Sequence, residues 1–195
     1  IDTLLSAAAA NEIINLSNLT ELIISDTGTV SANTINQIVT NADAVNGVGT
    51  TAVNIATASG VTGTNAHYTT LITNVNSNLV TNLSTQTLAV TGGSITVIQA
   101  NNISALSTGI TTAEITDTQR LTDLVSLNLT GAGSNVANAY TVTIAAADAV
   151  VTNAADINTI DARTSVAVDA SAITSLTGTA SALNTLYTAA TSGGG

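Results

Sequence analysis

Only one side chain in this sequence changes charge near neutral pH in its ordinary state, and that is His67. A nucleophile–histidine–acid triad would have to be built on it, completed from the many Ser, Thr and Asp residues. That abundance makes any such match meaningless, and His67 sits beside Tyr68 on a stretch that reads as a short helix. No catalytic residue is assigned, and the chain is not read as an enzyme. Zero cysteine excludes a disulfide framework and most thiol chemistry, and there is no zinc pattern, phosphate loop or paired-carboxylate signature.

The acids offer the other chemistry. Asp148, Asp156 and Asp161 cluster in one stretch and Asp117 and Asp123 in another, and oxygen ligands of this kind suit calcium. Calcium is thus the one cofactor the sequence suggests. The candidate ligands are Asp26, Asp148 and Asp169, because strand-to-helix turns can add carbonyl oxygens. Against this, the Gly-Gly-x-Gly-x-Asp nonapeptide of calcium-binding β-rolls is absent, with Thr91-Gly-Gly-Ser94 its faint echo, and no EF-hand spacing exists. Solvated surface acids are the plain reading. Asp117 and Arg120 stand three apart, a local helical ion pair at most. Sequons at Asn15, Asn18, Asn82, Asn102 and Asn128 are expected by chance at this Ser and Thr density.

These residues hang on a recurring pattern, clearest at Leu176-Thr-Gly-Thr-Ala-Ser-Ala-Leu-Asn-Thr-Leu-Tyr187. Counting Leu176 as zero, Thr179 stands at plus three, with Leu183, Leu186 and Tyr187 at plus seven, ten and eleven. That is the apolar stripe of an amphipathic helix behind an N-cap threonine, so the motif reads as turn, cap and helix. Degraded copies begin at Gly28, Val61, Val90, Glu114, Leu129 and Val150, and Ser6 with Ala10, Ile13 and Ile14 fits the same frame. Caps then fall on Ser31, Thr64, Asp117, Asn153 and Thr179. The mean spacing of about 25 residues is that of strand-plus-helix solenoid repeats. The stripe takes in all three tyrosines, Tyr68, Tyr140 and Tyr187, as volume fillers with the hydroxyl near the edge.

Short β-type runs precede most of the helices: Leu22–Ile24, Ala52–Ile55, Thr141–Ile144 and Ser165–Val168. Strand, helix, strand implies a parallel sheet with right-handed crossovers. The expected fold is α/β, a solenoid of strand-plus-short-helix repeats. Residues 1–190 would form one array of about seven or eight repeats, and 191–195 a Gly-rich tail or linker. The alternative is an all-β solenoid in which these helices are loops, since Thr, Asn and Val are mediocre helix formers.

Composition sets the remaining bounds. Apolar residues make up 45% of the chain, almost all aliphatic, with no Phe, Trp, Met or Pro. Against 12 acids stand two arginines, for a net charge of −10, which argues against nucleic acid and anionic membrane as partners. The surface must be hydroxyl and amide, with little charge to repel another copy. No apolar run reaches membrane-spanning length, and Leu4–Ala10 lacks the basic flank of a signal peptide. The missing methionine suggests processing, or a piece of something longer.

The stretches Ile24-Ser-Asp-Thr-Gly-Thr-Val-Ser-Ala-Asn-Thr-Ile-Asn-Gln-Ile38 and Val168-Asp-Ala-Ser-Ala-Ile-Thr-Ser-Leu-Thr-Gly-Thr179 are similar to repeats of very large secreted bacterial proteins, particularly cyanobacterial and marine cell-surface and adhesin-like proteins. The resemblance implies an extracellular, repetitive, structural or adhesive protein. It also implies calcium dependence, which the missing nonapeptides oppose, and it transfers no catalytic residue. The function expected is a structural protein of the cell exterior whose partner is itself, in a filament, sheath or surface layer. The alternative is an adhesin segment that binds surface glycans or another surface.

Overall fold

A computed structural model describes residue 16 and residues 18–116, 118–130, 136–145 and 152–192. The chain forms two compact units, Ile1–Gly92 and Gly93–Gly195. The fold is mixed α/β with parallel strand pairing and six helices among the described residues. The helices rule out the all-β alternative.

Unit 1 runs β1 (Glu21–Ile23), β2 (Thr29–Ser31), α1 (Ala32–Asn46), β3 (Ala52–Asn54), β4 (Gly60–Gly63), α2 (Asn65–Asn76), β5 (Val80–Thr81) and β6 (Thr87–Val90). Strands β1, β3 and β5 pair in parallel, and so do β2, β4 and β6. Each strand therefore pairs with its counterpart in the next β–β–α turn of the chain. Alternation puts Val53 and Val80 of the first set and Val30, Val61 and Leu88 of the second inside. The helices close this core with Ile35, Ile38 and Val39 of α1 and Tyr68 and Leu71 of α2.

Unit 2 contains α3 (Val97–Ser104), β7 (Thr111–Glu114), α4 (Leu121–Leu124), β8 (Ala139–Thr141), β9 (Thr152–Asn153), α5 (Ala154–Asp161), β10 (Leu176–Thr177) and α6 (Ala180–Ser192). Parallel pairs join β7 to β8 and β9 to β10, and single parallel bridges join Asn138 to Thr164 and Thr143 to Asp169. In both units, paired positions lie about 20 to 31 residues apart in the chain.

Three departures from the sequence reading have local causes. The Val-Thr-Gly stretch is a second strand rather than a turn: Val61 lies in β4 and Leu176 in β10. In β4, paired on both sides, the inward apolar residue is Val61, too little for periodicity to reveal. The copy begun at Val90 starts its helix three residues late, because Gly92 and Gly93 take positive φ of 81° and 128° and a bridge at Ile95 intervenes. Thr96 then caps α3 in a capping box with Gln99. Third, Tyr140 lies in β8 and not on a helix. Ser165–Val168 forms no strand, only the flanking bridges at Thr164 and Asp169. Of the expected caps, Ser31, Asn153 and Thr64 hold their places, and Thr179 accepts from the Ala182 N–H at 3.2 Å. Asp117 and the copy begun at Ser6 lie outside the described residues. Helix α6 takes in Thr191 and Ser192, two residues assigned above to the tail.

Two glycines set how closely successive turns approach. A Cβ on Gly63 would stand 2.9 Å from the Cβ of Ala32, the first residue of α1. A Cβ on Gly178 would stand 3.2 Å from the Cβ of Ala154, the first residue of α5. In both places a residue without a side chain lies against the smallest helix-starting side chain. Gly63→Ala should therefore destabilise unit 1 by roughly 1–3 kcal/mol, the usual size of an overpacking strain. Urea unfolding measures it, and an unchanged midpoint would show that the turns can separate freely.

Candidate functional site

His67 occupies the first turn of α2, where its Nδ1 accepts from the Thr64 N–H at 3.4 Å and its own N–H donates to Thr64 Oγ1 at 3.3 Å. This is a capping box, so the imidazole lone pair that a general base needs is committed to the backbone. The ring borders a shallow hollow of about 380 Å³ with Asn33, Gln37, Thr40, Asn41 and Thr70. The other groups lining it are amides and hydroxyls, none of them an acid.

Two of the three calcium candidates fall on described residues. Asp26 is exposed in unit 1, Asp169 is exposed in unit 2, and Asp148 lies outside the described residues. Asp169 Oδ1 accepts from the Ser171 N–H at 3.0 Å. The Ser171 hydroxyl and N–H hold this carboxyl below the usual range. Among the described residues no three acids or histidines are grouped to hold a metal ion.

A position that the sequence reading passed over recurs in the structure. Five residues after each cap, α1, α3 and α5 carry Asn36, Asn101 and Asn158, and each amide bridges to the next helical turn of its unit. Asn36 Nδ2 donates to His67 O at 2.9 Å, and Asn158 Nδ2 donates to Ala182 O at 2.9 Å. In both cases the acceptor is the carbonyl three residues after the next cap. Asn101 reaches Ser126 O at 2.9 Å, just past the short α4, and its Oδ1 accepts from the Asn128 N–H at 2.8 Å. For Asn36 and Asn158 the signal was present in the template as an Asn at plus eight, hidden by the abundance of Asn elsewhere, whereas Asn101 stands at plus eleven from Val90. Compared with known proteins, the chain matches no family model, no curated sequence and no solved structure.

The buried phenols serve the same joints. Tyr68 OH donates to Val61 O at 2.7 Å and accepts from the Ala89 N–H at 3.1 Å, tying β4 to β6. Burial pushes its pKa up. Tyr140, equally buried, meets Asn138 Nδ2 at 3.1 Å, and burial pushes its pKa up to about 12.

Helix α6 repeats the inner helices without their cover. The positions four and seven after the cap are Ile35 and Ile38, Tyr68 and Leu71, and Ile157 and Ile160, all buried. In α6 they are Leu183 and Leu186, both half-exposed, and the next residue, Tyr187, is 62% exposed. Leu183, Leu186 and Tyr187 border an open apolar groove of about 580 Å³ with Ile157, Ile173 and Leu176.

Proposed function

We propose that this chain is an extracellular structural repeat protein, built as one array of β–β–α solenoid coils, that assembles with its own copies into a filament, sheath or surface layer. The observation that carries this reading is the coil joint: one asparagine position makes the same kind of bridge from α1, α3 and α5. A coil of this kind presents a face suited to a further coil. The surface supports it, with two basic residues in 195 and hydroxyls and amides in place of charge. On this reading the chain is not an enzyme and the acids are solvated. No helix among the described residues is long and apolar enough to cross a membrane.

Electron microscopy of the purified chain, in calcium and in chelator, tests the proposal. Ordered fibres or sheets are expected in both, while dispersed particles in both would reject self-assembly. The double substitution Leu183→Asp with Leu186→Asp should abolish assembly, because two charges would enter an apolar face. Assembly unchanged by it would remove coil stacking as the cause. The hollow beside His67 favours the adhesin alternative, for amides and hydroxyls suit a glycan. A dispersed monomer with measurable glycan affinity would decide for that reading.

A further inference from the structure

We infer that the hollow between α1 and α2 is a binding site for a neutral sugar unit of a glycan, recognised through its hydroxyls. The inference rests on the adhesin alternative, to which it gives a site and a ligand class, and it is independent of self-assembly.

Asn36 is the buried residue of the lining, and both ends of its amide are already used. Its Nδ2 donates to His67 O at 2.9 Å and its Oδ1 accepts from Asn74 Nδ2 at 3.0 Å. These bonds fix α1 against α2 before any ligand arrives, so the hollow is preformed. The remaining groups supply both halves of a hydrogen bond. Because His67 Nδ1 accepts from the Thr64 N–H at 3.4 Å, the ring hydrogen stands on Nε2, a donor at the border of the hollow. Thr40 Oγ1 donates to Asn36 O at 3.0 Å and Thr70 Oγ1 to Ala66 O at 3.4 Å, which leaves their lone pairs as acceptors. The amides of Asn33 and Gln37, four apart on one face of α1, meet no partner among the described residues. Each offers a carbonyl beside an NH2.

This lining selects its ligand by exclusion and by match. No carboxylate is there to hold a cation, and no lysine or arginine to hold an anion; the chain has no lysine, and both arginines, Arg120 and Arg163, belong to unit 2. No large apolar side chain is there to cover an apolar ligand. A sugar hydroxyl donates and accepts at once, and two neighbouring hydroxyls can meet both atoms of one carboxamide. A volume of about 380 Å³ lies at the small end of the roughly 300–1,000 Å³ of ligand sites, room for a sugar unit rather than a long chain. With no aromatic ring to stack on, a free sugar should bind with a Kd of about 1 mM.

His67 is the one histidine of the chain, so its imidazole is a single NMR reporter at the site. The isotope-labelled full chain is titrated with glucose, galactose, mannose and N-acetylglucosamine, and with glucuronate and glucosamine as charged counterparts. At least one neutral sugar should shift the His67 ring signals saturably, and the charged counterparts should bind several-fold more weakly. Asn33→Ala with Gln37→Ala removes the two open amides and leaves the capping box in place. It should weaken the binding by about tenfold or more at an unchanged thermal midpoint. Gln37→Arg, at an exposed position, carries a long side chain across the hollow and should have the same effect. Binding that survives both variants would put the sugar elsewhere on the chain, overturning this site while the adhesin reading stands. Tighter binding of glucuronate or glucosamine would overturn the neutral ligand class. No saturable shift anywhere in the spectrum with any of the sugars would overturn the site and the adhesin reading together.

Discussion

Asn138→Ala is expected to destabilise unit 2 by roughly 3–5 kcal/mol, the upper range for a single substitution, because it dismantles a buried hydrogen-bond network. Asn138 has no exposed surface. Its Oδ1 accepts from the Thr111 N–H at 2.8 Å, and its Nδ2 lies within reach of Asn128 O at 3.0 Å, Ser104 Oγ at 3.1 Å and Tyr140 OH at 3.1 Å. Its own backbone continues the joint, donating to Arg163 O at 3.2 Å and accepting from the Ser165 N–H at 2.8 Å. Truncation leaves the Thr111 N–H and the Asn128 carbonyl without the amide, in a site too buried for easy hydration, and each orphaned group costs about 1–3 kcal/mol. Asn138→Asp keeps the acceptor for Thr111 and loses the amide donor, so it should fall between wild type and alanine only when protonated. Urea unfolding at neutral and acidic pH measures both. A loss below about 1 kcal/mol for Asn138→Ala would mean that water replaces the amide.

That network shows which parts of this protein a sequence discloses. The stripe four and seven residues after a cap was legible at Ile35 and Ile38, at Tyr68 and Leu71 and at Ile157 and Ile160, because helix periodicity survives in a chain of mediocre helix formers. Tyr140 was misread for a physical reason. Asn138, Tyr140, Val142 and Ile144 are all buried, every second residue, which is a strand period. The template nevertheless claimed Val136, Ala139 and Tyr140 for a helix, and Val136 is 51% exposed. The short strands directly before α1, α2, α5 and α6 escaped because they are two to four residues long and gain their stability from parallel neighbours 24 to 31 residues away in the chain.

Among the candidate functional residues, composition disclosed what was scarce and concealed what was common. His67 drew attention as the one histidine and proves to be a capping residue. The asparagines that bridge from one helix to the next backbone segment are a few among many, and only their partners distinguish them. Asn36 is an instance: its Nδ2 reaches His67 O while its Oδ1 accepts from Asn74 Nδ2 at 3.0 Å. Both ends of the amide are used in joining α1 to α2. A polar group at that depth is tolerated because both ends of its amide are hydrogen-bonded.

Alkaline pH should unfold both units through their buried phenols. In the folded state the pKa of Tyr68 and of Tyr140 is raised from 10.0, to about 12 for Tyr140, with desolvation the leading cause in each. A raised phenol pKa means that the unfolded chain releases its proton first. The contribution of each tyrosine is therefore fully present below pH 10 and is lost as pH climbs towards the folded value. At about 1.4 kcal/mol per pH unit, Tyr140 alone removes roughly 3 kcal/mol from unit 2 by pH 12. Tyr68 acts in the same direction on unit 1. The chain has no cysteine and no lysine to titrate in that window, so the effect is attributable to phenols. Urea midpoints should hold steady between pH 8 and pH 9.5 and fall steeply above pH 10. Tyr68→Phe with Tyr140→Phe should lower stability at pH 8, where the phenol hydrogen bonds are lost, yet flatten the alkaline decline. A wild-type midpoint constant to pH 12 would show that neither phenol is shielded from water, and the packing of the two tyrosines in these cores would have to be redrawn.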